Sequence, residues 1–223
     1  MSLIAVVDYG MGNLRSVLKA LEHVAGSDQR VKITSDPADI AAAERVVFPG
    51  QGAARDCMLE LKERGLIEPV LQAAREKPFL GICMGMQVLM AHSRENDGVD
   101  CMGLYEGEVR FFGTAFAENK ISQKDELLKI PHMGWNQVHQ TKSHPLWNGI
   151  EQNSRFYFVH SYYVAPADSS IVVGDTDFGI NFASAIAQDN VFATQFHPEK
   201  SAADGLQLLE NFARWNGKVD TAE

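Results

Sequence analysis

The chain is 223 residues long, with 29 acidic and 20 basic side chains and a formal net charge of −9 with histidines neutral, a balance that argues against nucleic acid as a partner. Its 45% hydrophobic and 22% charged residues exclude a disordered, collagen-like or disulfide-dense chain. A folded protein of this length buries about 70% of its extended surface, enough for one ample core, and a single α/β domain over residues 1–223 is the expectation.

Leu3 to Val7 reads as a buried first strand. It is far too short for a membrane span and no basic residue precedes it, so neither a membrane anchor nor a signal peptide is expected, and a cytoplasmic location follows. From Asn13, an N-cap residue type, Leu14, Val17, Leu18, Leu21 and Val24 keep the spacing of a core-facing helix until Gly26. Arg30 to Thr34 and Arg45 to Phe48 read as strands, and Pro49-Gly50-Gln51-Gly52 reads as a loop that continues neither strand nor helix. Helices are expected over 53–63 and 66–76, then the strand Pro78 to Ile82 and a helix-compatible run Met86 to Ala91. Short β-branched runs alternating with amphipathic stretches make this half a parallel sheet with crossover helices.

The second half changes character. Val109 to Phe112, Arg155 to Val164, Ile171 to Val173, Ala183 to Ala187 and Val191 to Phe196 read as strands of a mixed or antiparallel sheet, with Asp189-Asn190 as a hairpin turn. A last helix spans 202–216, and the polar segment Glu118 to Lys129 reads as a solvated loop. No internal repeat or linker divides the chain.

Three cysteines, Cys57, Cys83 and Cys101, have no paired spacing, which is the wrong arithmetic for a disulfide framework or a structural zinc site. Gly81-Ile82-Cys83-Met84-Gly85 nevertheless stands out, because it follows an apolar strand and precedes a helix-compatible run. This is the nucleophile-elbow pattern with cysteine in place of serine. The turn brings backbone too close for side chains at positions 81 and 85, and it sets the thiol at a helix amino end that favours an anionic sulfur. The competing reading of Cys83 is a small buried hydrophobe.

A thiolate nucleophile needs a base, and Gln195-Phe196-His197-Pro198-Glu199 offers one. Pro198 biases His197 toward an extended backbone, in which residues 197 and 199 point roughly the same way. Glu199 can then fix the imidazole and stabilise its protonated form, making Cys83, His197 and Glu199 a candidate triad. The N–H of Met84 is the first oxyanion donor such an elbow offers, and the Gly50-Gln51-Gly52 loop is a source for the second. The other six histidines have no metal-ligand spacing, so no metal is expected. Gly10-Met11-Gly12 begins like a dinucleotide fingerprint but lacks the third glycine, so no nicotinamide site and no cofactor is expected. The aromatic runs Phe156 to Phe158 and Tyr162-Tyr163 have no basic cluster beside them and read as sheet core.

Gly81 to Gln87 together with Gln195 to Glu199 resembles the class I (triad) glutamine amidotransferase family, and the resemblance spans nearly the whole chain. It implies a three-layer, flavodoxin-like fold with a mostly parallel central sheet, helices on both faces and a smaller antiparallel or mixed sheet in the second half. Four further stretches, Asp8 to Leu14, Phe48 to Ala53, Pro131 to Asn136 and Phe158 to Tyr162, resemble the branch of that family that serves a synthase of histidine biosynthesis. That branch implies hydrolysis of L-glutamine to glutamate and ammonia, and delivery of the ammonia to a (β/α)8-barrel cyclase subunit that forms imidazole glycerol phosphate and an aminoimidazole carboxamide ribotide.

By the same resemblance Cys83 attacks the amide, His197 shuttles the proton and Glu199 orients it. Gly50, Gly52, Gln87, Glu95 and Ser161 hold the glutamine, Gln51 and Met84 give oxyanion N–H groups, and Asn13, Trp135 and Lys200 face the cyclase. Position 51 is glutamine where the family carries valine or another small apolar residue, although only the backbone is used there. Two other readings stand beside this one. A paralogous subunit feeding a different synthase would look almost the same, and a non-enzymatic module with the same fold would use its cysteine only to sense oxidants.

Overall fold

The computed structural model describes residues 1–121 and 128–219. In the first half, strands and helices alternate: β1 (Ser2–Val7), α1 (Leu14–Val24), β2 (Gln29–Thr34), α2 (Pro37–Ala42), β3 (Arg45–Gly50), α3 (Ala54–Glu63), α4 (Ile67–Glu76), β4 (Phe79–Cys83) and the single turn α5 (Met84–Gln87). Then come β5 (Met90–Ser93), β6 (Val99–Asp100), β7 (Tyr105–Phe111), α6 (Phe112–Glu118), β8 (His132–Gln137) and β9 (His139–Gln140). The chain continues through β10 (Arg155–His160), β11 (Tyr162–Pro166), β12 (Val172–Asp177), β13 (Asn181–Gln188), β14 (Val191–Thr194) and α7 (Ala202–Arg214).

Twelve strands form one sheet, with the order β2-β1-β3-β4-β14-β13-β11-β7-β5-β6 and with β12 and β9 attached through β13. From β2 to β14 every neighbour is parallel, and beyond β14 most pairs are antiparallel. The other two strands, β8 and β10, make a separate antiparallel ribbon.

Alternation along β1 explains the layers. Ile4 and Val6 pack with Val17 and Leu21 of α1 and with Leu208, Leu209 and Phe212 of α7, whereas Ala5 and Val7 face Ile40 of α2, Leu61 of α3 and Val70 of α4. Burying each such leucine or phenylalanine contributes about 1.5–3 kcal/mol, so both faces of the parallel sheet are firmly covered. No helix among the described residues is long and apolar enough to cross a membrane.

Several local expectations are corrected. Pro49 and Gly50 continue β3 and pair with Ile82 and Cys83, because the pairing of β3 with β1 has already ended at Val47 and the missing proline N–H disrupts no ladder. The helix after the elbow is one turn, and Met90 and Ala91 belong to β5. Val88, Leu89 and Met90 are fully buried, and an apolar run buried on all sides carries no period that separates helix from strand.

Arg155 to Val164 is two strands, since the chain leaves the β8–β10 ribbon at Ser161 and enters the main sheet at Tyr162. Phe112 opens α6 rather than ending a strand, and its ring is buried among Tyr163, Phe178 and Phe182. Asn13 holds the N-cap position of α1, but its side chain accepts from Ser16 Oγ at 2.9 Å instead of from a backbone N–H. Of the expected loop from Glu118 to Lys129, residues 122–127 lie outside the described residues. The Asp189-Asn190 turn does join β13 to β14, with Gln188 opposite Val191.

Candidate active site

Cys83 ends β4 with φ +55°, a left-handed conformation that a non-glycine residue adopts only under constraint. The neighbouring glycines show what constrains it. A β-carbon at Gly85 would lie 1.9 Å from the Phe48 carbonyl oxygen, and one at Gly81 would lie 3.1 Å from the Gly85 oxygen. The expected elbow is therefore present. Met84 follows as the first residue of α5, where its N–H has no intrahelical acceptor. Because α5 is a single turn, the field of a full helix does not bear on the sulfur.

Since β14 runs parallel to β4 and next to it, the segment leaving its carboxyl end emerges beside Cys83. Carboxyl ends of parallel strands are where open α/β sheets assemble their sites. There His197 Nδ1 meets Glu199 Oε1 at 2.8 Å, with both side chains almost wholly buried. Burial opposes a charge on the ring, but the nearby Cys83 sulfur and the Glu199 carboxylate outweigh it and raise His197 to about 10. Its Nε2 has no aligned hydrogen-bond partner among the described residues.

Two residues that sequence reasoning missed fix this pair. Ser201 Oγ donates to the His197 carbonyl at 2.6 Å and accepts from the Tyr157 N–H at 3.0 Å, while the His197 N–H donates to the Tyr157 carbonyl at 2.9 Å. Gly205 lets α7 approach, as a β-carbon there would lie 2.0 Å from the Pro198 oxygen.

A cleft of about 590 Å³ opens over Cys83 and is lined by Gln51, Gly52, Met84, Gln87, Glu95, Ser161, His197 and Lys200. Gly50 lies beneath it, packed so that a β-carbon would sit 2.2 Å from the Tyr9 hydroxyl. Glu95 is held by the amino end of α3, its Oε2 accepting from the Ala54 N–H at 2.7 Å. Gln87 donates to Gln195 Oε1 at 2.9 Å and to the Tyr162 carbonyl at 3.2 Å, and Gln195 Nε2 in turn donates to Cys83 Sγ at 3.6 Å. Gln195 was overlooked although it lies two positions before His197. In an extended segment that spacing puts both side chains on one side.

His160, also lining the cleft, donates from Nδ1 to the Tyr162 carbonyl at 2.8 Å, because a carbonyl can only accept. Its Nε2 is then the acceptor for His132 Nδ1 at 2.9 Å, and His132 Nε2 accepts from Asn136 Nδ2 at 3.2 Å. Burial holds both rings neutral, lowering His132 to about 4 and His160 to about 3. The β8–β10 register sets these two residues opposite each other, which no local motif announces.

Of the three residues expected to face a partner, Trp135 is 47% exposed on β8 and stands edge-on to Tyr157 at 6.2 Å. Lys200 lies over the same Tyr157 ring at 5.8 Å and reaches the cleft rim. Asn13 holds the N-cap position of α1, a helix that packs against the Pro198–Lys200 turn.

Residues 5–215 match the family model of glutamine amidotransferase class-I. The chain belongs to that family. Among amidotransferases it is 58% identical, over 97% of its length and 98% of the relative's, to a protein of Hydrogenovibrio crunogenus named imidazole glycerol phosphate synthase subunit HisH. A protein of the same name from Dechloromonas aromatica is 60% identical over 95% of this chain and 96% of the relative. Among solved structures, a chain of PurLQS from Thermotoga maritima superposes with a TM-score of 0.68 at 21% identity, over 95% of this chain and 97% of that one. A solved glutamine amidotransferase gives 0.67 at 15% identity, over 93% and 96%. These last two likenesses establish the amidotransferase fold, with its parallel central sheet and small second sheet.

Proposed function

We propose that the chain is the glutaminase subunit of an imidazole glycerol phosphate synthase, working as one domain in the cytoplasm. It hydrolyses the side-chain amide of L-glutamine and passes the ammonia to a (β/α)8-barrel cyclase of histidine biosynthesis. The observation that carries the chemistry is a strained cysteine and a buried histidine–carboxylate pair at the ends of adjacent parallel strands, facing one cleft. The near full-length relatives named as this subunit support the choice of synthase.

Cys83 sulfur attacks the amide carbon, and the carbonyl electron pair moves to oxygen. The N–H groups of Gln51 and Met84 stabilise that oxyanion. His197 gives its proton to the amide nitrogen as the C–N bond breaks, releasing ammonia and leaving a thioester. It then takes a proton from water, whose oxygen attacks the thioester, and returns it to sulfur as glutamate leaves. Glu199 keeps the imidazole oriented and favours its protonated form. Glu95 supplies a carboxylate for the substrate's α-ammonium, while Gly50, Gly52, Gln87 and Ser161 hold the rest of the glutamine. Asn13, Trp135 and Lys200 lie against the barrel subunit.

The test is glutamate release by the purified chain, alone and then with a histidine-pathway cyclase and its ribulosyl substrate. Strong stimulation by that pair is the expected result. Activity indifferent to the pair would leave a glutaminase with another acceptor, and no release under any condition would remove the hydrolase reading.

A further inference from the structure

Beneath the Gly50–Gly52 segment lies a buried polar chain that the mechanism leaves unused. The Tyr9 hydroxyl donates to Cys57 Sγ at 3.7 Å, and Cys57 Sγ donates to the Gln51 carbonyl at 3.4 Å. Tyr9 and Cys57 are both fully buried among apolar neighbours, and neither lines the cleft. Burial raises the Cys57 thiol to about 12 and holds the Tyr9 phenol above its ordinary range, so both keep their protons at neutral pH.

A trans peptide carries its C=O and N–H on opposite sides. With the Gln51 carbonyl turned onto Cys57, the Gly52 N–H is turned the other way, at a position where both residues line the cleft. Gly52 has φ +91°, which glycine adopts without strain, and its N–H donates to no acceptor among the described residues. The loop is thus anchored from behind and presents a spare donor in front.

We propose that Tyr9 and Cys57 are positioning residues that lock the Gln51–Gly52 peptide and hold the Gly52 N–H ready for bound glutamine. This rests on the glutaminase reading. A donor fixed in this way serves ground state and transition state alike, so the pair sets KM rather than kcat. Neither residue touches substrate.

The experiment compares wild type, Cys57→Ala, Cys57→Ser and Tyr9→Phe in the full chain bound to the cyclase, measuring glutamate release against glutamine concentration. The Gly52 amide resonance is followed in the free chain labelled with 15N-glycine. Loss of one such hydrogen bond predicts a KM about three- to ten-fold higher in Cys57→Ala, with kcat within about two-fold. Serine, which keeps a hydroxyl donor, returns both KM and the Gly52 resonance toward wild type, and Tyr9→Phe raises KM by about two-fold. An unchanged KM in Cys57→Ala, a loss confined to kcat, or a failure of serine to rescue would overturn the proposal. If Cys57→Ala does not fold, Tyr9→Phe carries the same test. Wild type that releases no glutamate would remove the glutaminase reading alone, since the Gly52 resonance still reports whether the peptide is locked.

Discussion

His197 and His160 are both buried, both belong to the cleft and both donate from Nδ1, yet they are driven in opposite directions. His197 donates to a carboxylate and faces a sulfur, and is raised to about 10; His160 donates to a carbonyl and accepts from another imidazole, and is lowered to about 3. Burial alone penalises charge in both rings. What separates them is what each ring faces: the Cys83 sulfur and then the Glu199 carboxylate repay the penalty at His197, whereas a neutral carbonyl and a second histidine do not at His160. One ring is therefore suited to carry a proton through a reaction and the other to remain a fixed tautomer supporting the Tyr162 carbonyl.

The sharpest way to break this contrast is to remove the proton carrier. His197→Gln is expected to lower glutamate release by about 10⁴-fold or to background in the cyclase-bound enzyme, while the melting temperature shows the fold intact. Activity within ten-fold of wild type would remove His197 from the chemistry. Glu199→Gln keeps shape but takes away the anion, and a loss of about 10²- to 10⁴-fold is expected. Its pH profile is the more telling readout. With one of the influences that raise His197 gone, the imidazolium is lost at lower pH, and the alkaline limb of the profile should move toward neutrality. An unmoved limb would show that Glu199 does not hold that proton.

The neutral pair predicts an effect on stability. Unfolded, His132 and His160 titrate near the ordinary value of about 6.5; folded, they titrate at about 4 and about 3. Between those limits the unfolded chain binds more protons. Stability is then fully present above about pH 6.5 and falls as pH drops through the window, by up to ~1.4 kcal/mol per pH unit for each histidine. His144, lowered to about 4 by burial in another part of the core, adds a slope of the same sign. Melts between pH 7.5 and 5 should show this fall, and a His132→Gln/His160→Gln variant should show a shallower one whatever its absolute stability. Equal slopes in the two proteins would mean that the pair is not held neutral.

The two histidines also differ in how far they could be read from sequence. Gly81 to Gly85 and His197-Pro198-Glu199 are local patterns whose geometry follows from steric exclusion and from the two-residue repeat of an extended chain, so the elbow and the histidine–carboxylate pair were legible before any fold was known. That the two belong together is inferred from a thiolate's need for a base, and the family resemblance supports it; how they meet was not legible, because it depends on β14 inserting beside β4 from 112 residues away. The His132–His160 contact depends on a strand register across 28 residues, and the Tyr9–Cys57–Gln51 chain on how far α3 packs beneath the first and third strands. Long-range placement of this kind leaves no periodic trace. The same limit explains the strand expected from Arg155 to Val164, where a nearly continuous aromatic and apolar run gives no sign that the chain changes sheets at Ser161.

A third histidine completes the comparison with the smallest expected effect. His92 Nδ1 lies 3.1 Å from Asp100 Oδ1, close to the spacing of the His197–Glu199 pair, but its side chain is 42% exposed and that of Asp100 is 97% exposed. Here water already solvates both side chains, and a contact across a solvated edge between β5 and β6 gains little from proximity. Asp100→Asn should leave turnover within about two-fold of wild type and the melting temperature unmoved in moderate salt. If this variant instead lost activity as Glu199→Gln is expected to, a histidine–carboxylate contact would matter regardless of its surroundings. If it behaves as expected, the power of the buried pair comes from excluding the water that makes the exposed pair dispensable.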